Sequence, residues 1–317
     1  RTGEGTDRSS RVTARTAFGL SRLASGSLPQ ARQSFEAAIA DYEAGSDTRV
    51  ELRHGMQVAA VAYGYCGLSQ WLSGSSVKAT ETAQKLLLLI DRMQHPYTYS
   101  RGLFWNSLLQ AMRRDWSAAY ERADRALRLA DEHGFEMNSA ASAAIRAAAQ
   151  AALEPGEDAI LALRDAIARH RRLGALFQIP YFLSFLAEGL LARRQWAAGL
   201  SASAEALAVV NETGERSVEA DIHRITGDLH AASGSPEAEA HYRLAIEVAR
   251  AQGARMLELR AANRIARLWL GQDRQAEARD LLQSLRGTVD HDAASADLQY
   301  AEVILAGVDT EVDQARA

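Results

Sequence analysis

The 317 residues predict an all-α chain, a superhelix of stacked helix pairs, and three observations carry that prediction. Small residues return at a fixed interval: Ala79, Ala119, Ala159, Gly199, Ala238 and Ala278 differ by 40, 40, 40, 39 and 40. A second series, Gly134, Gly174, Gly214 and Gly253, differs by 40, 40 and 39. The prolines, finally, fall only where helices begin or turn. Two series with one period mark a solenoid, in which each unit buries its apolar face on the next.

Each series has a physical reason. Around the first, small or apolar side chains follow spacings of four and three: Ala31-Phe35-Ala38, Ala119-Ala123-Ala126, Ala238-Tyr242-Ala245 and Ala278-Leu282-Leu285. Those spacings keep them on one helical face, where small groups let the second helix of a pair press on the first. The glycine series falls where second helices end and the left-handed conformation closes a helix. Pro29, Pro155 and Pro236 sit in turns within pairs, beside Gly26, Gly156 and Gly234. Pro96 and Pro180 sit at helix starts, where a missing amide hydrogen costs nothing.

Seven pairs are predicted, starting near residues 12, 55, 97, 139, 179, 218 and 256, with a last helix around 294–305. The first interval, Ala31 to Ala79, is 48, read as an insertion at Gly45-Ser46-Asp47-Thr48 plus a lengthened helix from Arg53 to Trp71. Residues 1–10 are expected as a disordered segment, 11–307 as the repeat domain and 308–317 as a tail. Strand patterns are nearly absent.

Composition narrows the function. A formal charge of −4 argues against a surface that grips nucleic-acid phosphates. Lys78 and Lys85 are the only lysines, and the abundant arginine is read as codon bias. Cys66 is alone, which excludes an internal disulfide, and its apolar neighbours suit a small buried hydrophobe. The run Leu86 to Ile90 is too short to cross a bilayer, and the first ten residues lack the apolar core of a signal peptide. A cytoplasmic location follows by default. The chain starts with Arg, so it is expected to be a processed or cut piece.

The first pair places Gly19, Gly26, Ala31, Phe35 and Ala38 at the spacing of the tetratricopeptide consensus, which it resembles. HEAT and armadillo repeats have similar length but lack this signature in the second helix. The 40-residue unit exceeds the usual length of about 34, which implies longer helices. Beyond the repeat class, the chain resembles the C-terminal repeat region of large bacterial signalling ATPases. The resemblance runs from Ile179 to Ala306, through Pro180-Tyr181-Phe182-Leu183, Glu212-Thr213-Gly214-Glu215-Arg216, Tyr242-Arg243-Leu244-Ala245-Ile246 and Leu257-Glu258-Leu259-Arg260. His95-Pro96 and Arg114-Asp115-Trp116 are similar too. It implies a sensor or docking role controlling an attached ATPase, cyclase or DNA-binding domain. No phosphate-binding loop or cyclase carboxylate motif occurs in this chain.

Catalytic patterns are missing. No His-Glu-x2-His occurs, and no two histidines lie one helical turn apart, so neither a metal nor a cofactor is expected. Acidic residues alternate with arginine, as in Glu121-Arg122-Ala123-Asp124-Arg125, the pattern of a solvated helix face. No Gly-x-Ser-x-Gly nucleophile motif is present.

Binding is the better prospect, on a concave face lined by the first helix of each pair. Arg260, Asn263, Arg264 and Arg267 form a polar, basic stripe. Asp221, Arg224 and Asp228 occupy the preceding pair, and Tyr181, Ser184 and Glu188 the one before. Arg101, Phe104 and Trp105 give an aromatic version, which Tyr63 and Trp71 continue. Such a groove suits an extended peptide or partner helix with an apolar anchor and a nearby carboxylate. The alternatives are that the aromatic residues pack between repeats and the Arg–Asp pairs only join helices. Trp116 and Trp196, 80 residues apart in equivalent turns, are read as structural. A protein- or peptide-docking array, as a monomer or a homodimer, thus stands against a small-molecule sensor gating an attached ATPase or cyclase. Neither needs direct contact with nucleic acid or a membrane.

Overall fold

Alanine-rich segments punctuated every 40 residues become helices in antiparallel pairs. The computed structural model describes residues 2–45, 52–53, 56–290 and 295–306. The pairs are α1 (Thr2–Ala24) with α2 (Leu28–Glu43), α3 (Val58–Leu72) with α4 (Ser76–Met93), and α5 (Pro96–Met112) with α6 (Trp116–Glu132). Next come α7 (Glu136–Leu153) with α8 (Glu157–Arg172), and α9 (Ile179–Ala192) with α10 (Trp196–Thr213). The last are α11 (Glu219–Ala232) with α12 (Ala238–Gln252), and α13 (Arg255–Leu270) with α14 (Gln275–Leu285), followed by α15 (Ala296–Leu305).

Two details differ from expectation. α1 begins at Thr2, so residues 2–10 are part of the first helix and not a segment outside it. The second pair does not begin with a helix through Arg53. A two-strand antiparallel hairpin, β1 (Leu52–Arg53) and β2 (Met56–Gln57), precedes α3, with Leu52 opposite Gln57. It ends where the Gln57 amide donates to Thr98 Oγ1 at 3.3 Å, which ties the strand to α5. The expected tail, 308–317, and the insertion at 46–48 lie outside the described residues.

Within a pair, the small residue of the first helix lies beneath the aromatic of the second. A side chain on Gly19 would meet the Phe35 ring at 2.6 Å, and one on Gly227 would meet Tyr242 at 2.6 Å. Gly227→Val is therefore expected to destabilise the chain by about 1–3 kcal/mol through overpacking. A urea-denaturation midpoint equal to the parent's would show that the pair can spread without cost. The period glycines Gly134, Gly174, Gly214 and Gly253 all have φ between 67° and 78°, as helix closure requires. Helix starts are fixed by Pro96 and by side-chain caps: Asp115 accepts from the Ala118 amide at 3.1 Å and Ser295 from that of Leu298 at 3.4 Å.

First helices touch the first helices of neighbouring pairs, α3 to α5, α5 to α7 and onward to α15, so they line the inside of the superhelix. That inside is closed by contacts between successive turns. The Arg216 amide donates to Ala24 O at 2.6 Å, the Asp290 amide to Gly74 O at 2.8 Å, and Pro29 packs on Gly253. The first pair thus meets the sixth, and the second meets the seventh. The buried face of α7 is mostly alanine, with Ala141, Ala144 and Ala148 beside the larger Ile145.

Candidate binding groove

The predicted site residues separate into an aromatic group that is core and a charged group that is brought together. Trp71, Phe104 and Trp105 are buried, so they do not form an open aromatic groove. Trp105 lies on Gly64 and 5.6 Å from the Tyr65 ring. Trp71 lies under the Arg260 guanidinium, 5.2 Å from its centre. Arg101 is half-buried and covers Phe104 and Trp105 at 4.6 and 5.4 Å. Trp71 thus meets a distant turn of the chain, whereas Trp105 packs between neighbouring repeats. Tyr63 is elsewhere, donating to Glu43 Oε1 at 2.7 Å in a niche between α2 and α4. Tyr181 and Ser184 are buried too, the first bonded to Ser217 Oγ at 2.8 Å and the second to the Tyr181 carbonyl at 2.8 Å.

The charged residues converge on Arg224, whose side chain is 2% exposed. Its guanidinium donates to Asp221 Oδ1 at 2.7 Å, Asp228 Oδ2 at 2.6 Å and Glu188 Oε1 at 2.5 Å. Arg260 donates to Asp297 Oδ2 at 3.0 Å and to the Met112 carbonyl at 2.8 Å. Asn263 donates to the Asp297 carbonyl at 2.7 Å. Arg260 and Arg264 of the stripe expected to be basic therefore face carboxylates from α11 and α15. Burial alone would raise the Asp221 carboxyl, but the Arg224, Arg260 and Arg114 guanidiniums outweigh it and hold it well below the usual range.

Arg114 was missed by the sequence analysis as a site residue. It forms a two-armed ion pair with Glu188 and lies 3.6 Å from Asp221 Oδ2. It occupies the turn between α5 and α6 with φ 67°, where the corresponding turn residues Gly74 and Gly234 are glycine. A left-handed non-glycine residue costs about 1–2 kcal/mol. The signal was present in the sequence as a missing glycine, 40 residues after Gly74. Asp297 and Tyr242 were also missed; Tyr242 donates to Asp228 Oδ1 at 2.8 Å.

Arg264 and Arg267 remain exposed. They edge a cleft of about 510 Å³ that Leu191, Ala231, Ala232, Leu268, Asp228 and Tyr242 also line. Its apolar wall comes from the last turns of α9, α11 and α13. Arg264 Nε lies 3.5 Å from Asp228 Oδ2. Among the described residues, no three His, Cys, Asp or Glu side chains are placed to hold a metal, and no helix is long and apolar enough to cross a membrane.

No protein-family profile matches the chain. An uncharacterized protein of Rhizobium meliloti (strain 1021) is 24% identical over 233 residues, which is 73% of this chain and 22% of that protein. The chain thus spans about a fifth of that relative's length. Among solved structures, a Rap protein complexed with competence and sporulation factor superposes with a TM-score of 0.54 at 12% identity, covering 96% of this chain and 99% of that one. A signal transduction ATPase with numerous domains and a tetratricopeptide repeat sensor, from Pyrococcus horikoshii, gives 0.53 at 14% identity, over 88% of this chain and 44% of that one. Yeast Tom70 gives 0.50 at 14% identity, over 88% and 60%. At such identities the likeness is one of fold, and it agrees with the helix pairing and the glycine-under-aromatic nesting described above. In fold, this chain is a tetratricopeptide-like α-α superhelix.

Proposed function

We propose that the chain is a non-catalytic docking array for an extended protein or peptide segment, and that it serves as the sensor or docking region of a larger bacterial signalling or transcriptional regulator. The cleft edged by Arg264 and Arg267 carries this reading. Its volume falls within the range of about 300–1,000 Å³ usual for ligand clefts. Apolar walls offer a seat for an aliphatic or aromatic side chain, and two exposed guanidiniums offer charge-assisted hydrogen bonds to a neighbouring carboxylate. The catalytic patterns absent from the sequence point the same way. The larger role rests on the resemblance to signalling ATPases, and it accords with a neighbour that carries a tetratricopeptide repeat sensor.

A library of 12-residue peptides on an array tests the reading. Bound sequences are expected to pair an apolar residue with a nearby Asp or Glu. Arg264→Glu is expected to weaken the best peptide at least about tenfold, as loss of one charge-assisted hydrogen bond implies. Affinity indifferent to that change, with helicity intact, would remove the cleft from the account.

A further inference from the structure

The contacts between superhelical turns are not spread evenly. Those of the third pair gather at one short turn, Met112-Arg113-Arg114, between α5 and α6. The Met112 carbonyl accepts from Arg260 of the seventh pair at 2.8 Å. Two residues later, Arg114 holds Glu188 of the fifth pair with two hydrogen bonds and lies 3.6 Å from Asp221 of the sixth. One turn thus ties three pairs that lie two, three and four units further along the chain.

The knot is also unfinished. Asp221 Oδ2 and Arg260 Nη1 are buried and lack a hydrogen-bond partner, although their residues are 1% and 3% exposed. Low dielectric makes a half-satisfied network costly, so it responds to any group that completes or replaces it. Arg114 itself sits in a left-handed conformation that a glycine would adopt freely. Arg194 and Asp273 adopt the same conformation in equivalent turns, so what sets Arg114 apart is its ion pair with Glu188.

We propose that this turn is a latch: it holds the superhelix closed over its own inner face, and an acidic partner segment opens it by taking Arg114 and Arg260 from their internal carboxylates. The partner chemistry rests on the docking function proposed above; the latch does not. Charge arithmetic favours an acidic competitor, because each arginine of the knot faces a carboxylate or carbonyl oxygen that a peptide carboxylate can replace. A basic segment would instead have to displace Arg224, which is buried and held by three carboxylates.

Spin labels on Ser25→Cys and Ala251→Cys test the latch without any partner. These exposed residues face each other across the cleft where the first pair meets the sixth. The native Cys66 is buried and stays unlabelled. Pulsed dipolar spectroscopy on the parent is expected to give one short, narrow distance. Arg114→Gly keeps the turn conformation and removes the side chain, so it should add a longer, broader distance. Glu188→Gln, which leaves the turn untouched, should do the same. Arg194→Gly makes the same change in the exposed turn between α9 and α10, where φ is 58°, and should leave the distance unchanged.

If Arg114→Gly and Glu188→Gln both retain the parent distribution with full helicity, the latch is wrong. Should Arg114→Gly lose helicity, Glu188→Gln alone decides. If the labels move apart equally in the Arg194→Gly control, the effect belongs to turns in general and the proposal also fails. Where the latch opens, the best acidic peptide from the array should bind Glu188→Gln, which keeps Arg114, more tightly, by the factor by which the open fraction rises. A latch that opens while no peptide binds would count against the docking function alone.

Discussion

Replacing Arg224 by leucine is expected to lower the unfolding free energy by about 3–5 kcal/mol, the usual cost of removing one partner from a buried ion cluster. The cluster is balanced as it stands: Arg114, Arg224, Arg260 and Arg264 face Glu188, Asp221, Asp228 and Asp297. Without Arg224, Asp221 keeps only Arg114 at 3.6 Å and Arg260 at 3.8 Å, beyond hydrogen-bond reach, while 1% exposed. Arg224→Lys is expected to fall between parent and leucine, since an ammonium cannot serve three carboxylates at once in the geometry of the fork. A double change, Arg224→Leu with Asp221→Leu, should recover part of the loss, because apolar pairs often replace buried ion pairs at little cost. Urea denaturation at neutral pH measures all three. A loss below about 1 kcal/mol for Arg224→Leu would mean that water enters the cluster readily.

The second large effect is expected at Glu215, in the loop between α10 and α11. It is 2% exposed, accepts the Gln178 amide at 2.8 Å through Oε2, and leaves Oε1 buried without a partner. Burial pushes its carboxyl up to about 8, against the lowering effect of the Gln178 hydrogen bond. The folded chain therefore binds this proton more tightly than the unfolded chain does. Its contribution to stability is fully present below about pH 4.5 and is lost as pH rises towards 8, with an amplitude on the order of 3–5 kcal/mol. Asp221 acts with the opposite sign: its depressed carboxyl contributes stability at neutral pH that is lost on acidification. Glu215→Gln keeps the acceptor for Gln178 and cannot ionise. The variant should match the parent near pH 4 and exceed it in thermal midpoint at pH 8.5. Parallel stability profiles for the two would show that Glu215 ionises freely in the folded chain.

Much of the fold was legible because repeats impose the same contact many times. Ala79, Ala119 and Ala159 are small for one reason, the approach of paired helices, and Gly134, Gly174, Gly214 and Gly253 are required by one backbone conformation. The inner face was less legible. Whether Trp71 faces solvent depends on how tightly the superhelix winds, and that is set by distant contacts such as Ala24 with Arg216. Spacing along one helix carries no record of pitch. The charged stripe was found, yet its neutralisation was not, because Asp297 lies on another helix 37 residues after Arg260. Arg114 lies in a turn, off the helix faces whose spacing carries the pattern. The strands Leu52–Arg53 and Met56–Gln57 fall where the interval is long, and two-residue strands leave no alternating pattern to detect.

The meeting of first and sixth pairs changes how such an array should come apart. A linear stack has free ends, frays from them and unfolds in stages, because each unit senses only its neighbours. Here the first pair is joined to the sixth and the second to the seventh, so the coupling scheme is cyclic, and loss of any unit is felt on both sides of the loop. Clipping away residues 1–45 would strip a neighbour from α12 as well as from α3. Melting of the intact chain should accordingly be a single cooperative event, as in a globular domain.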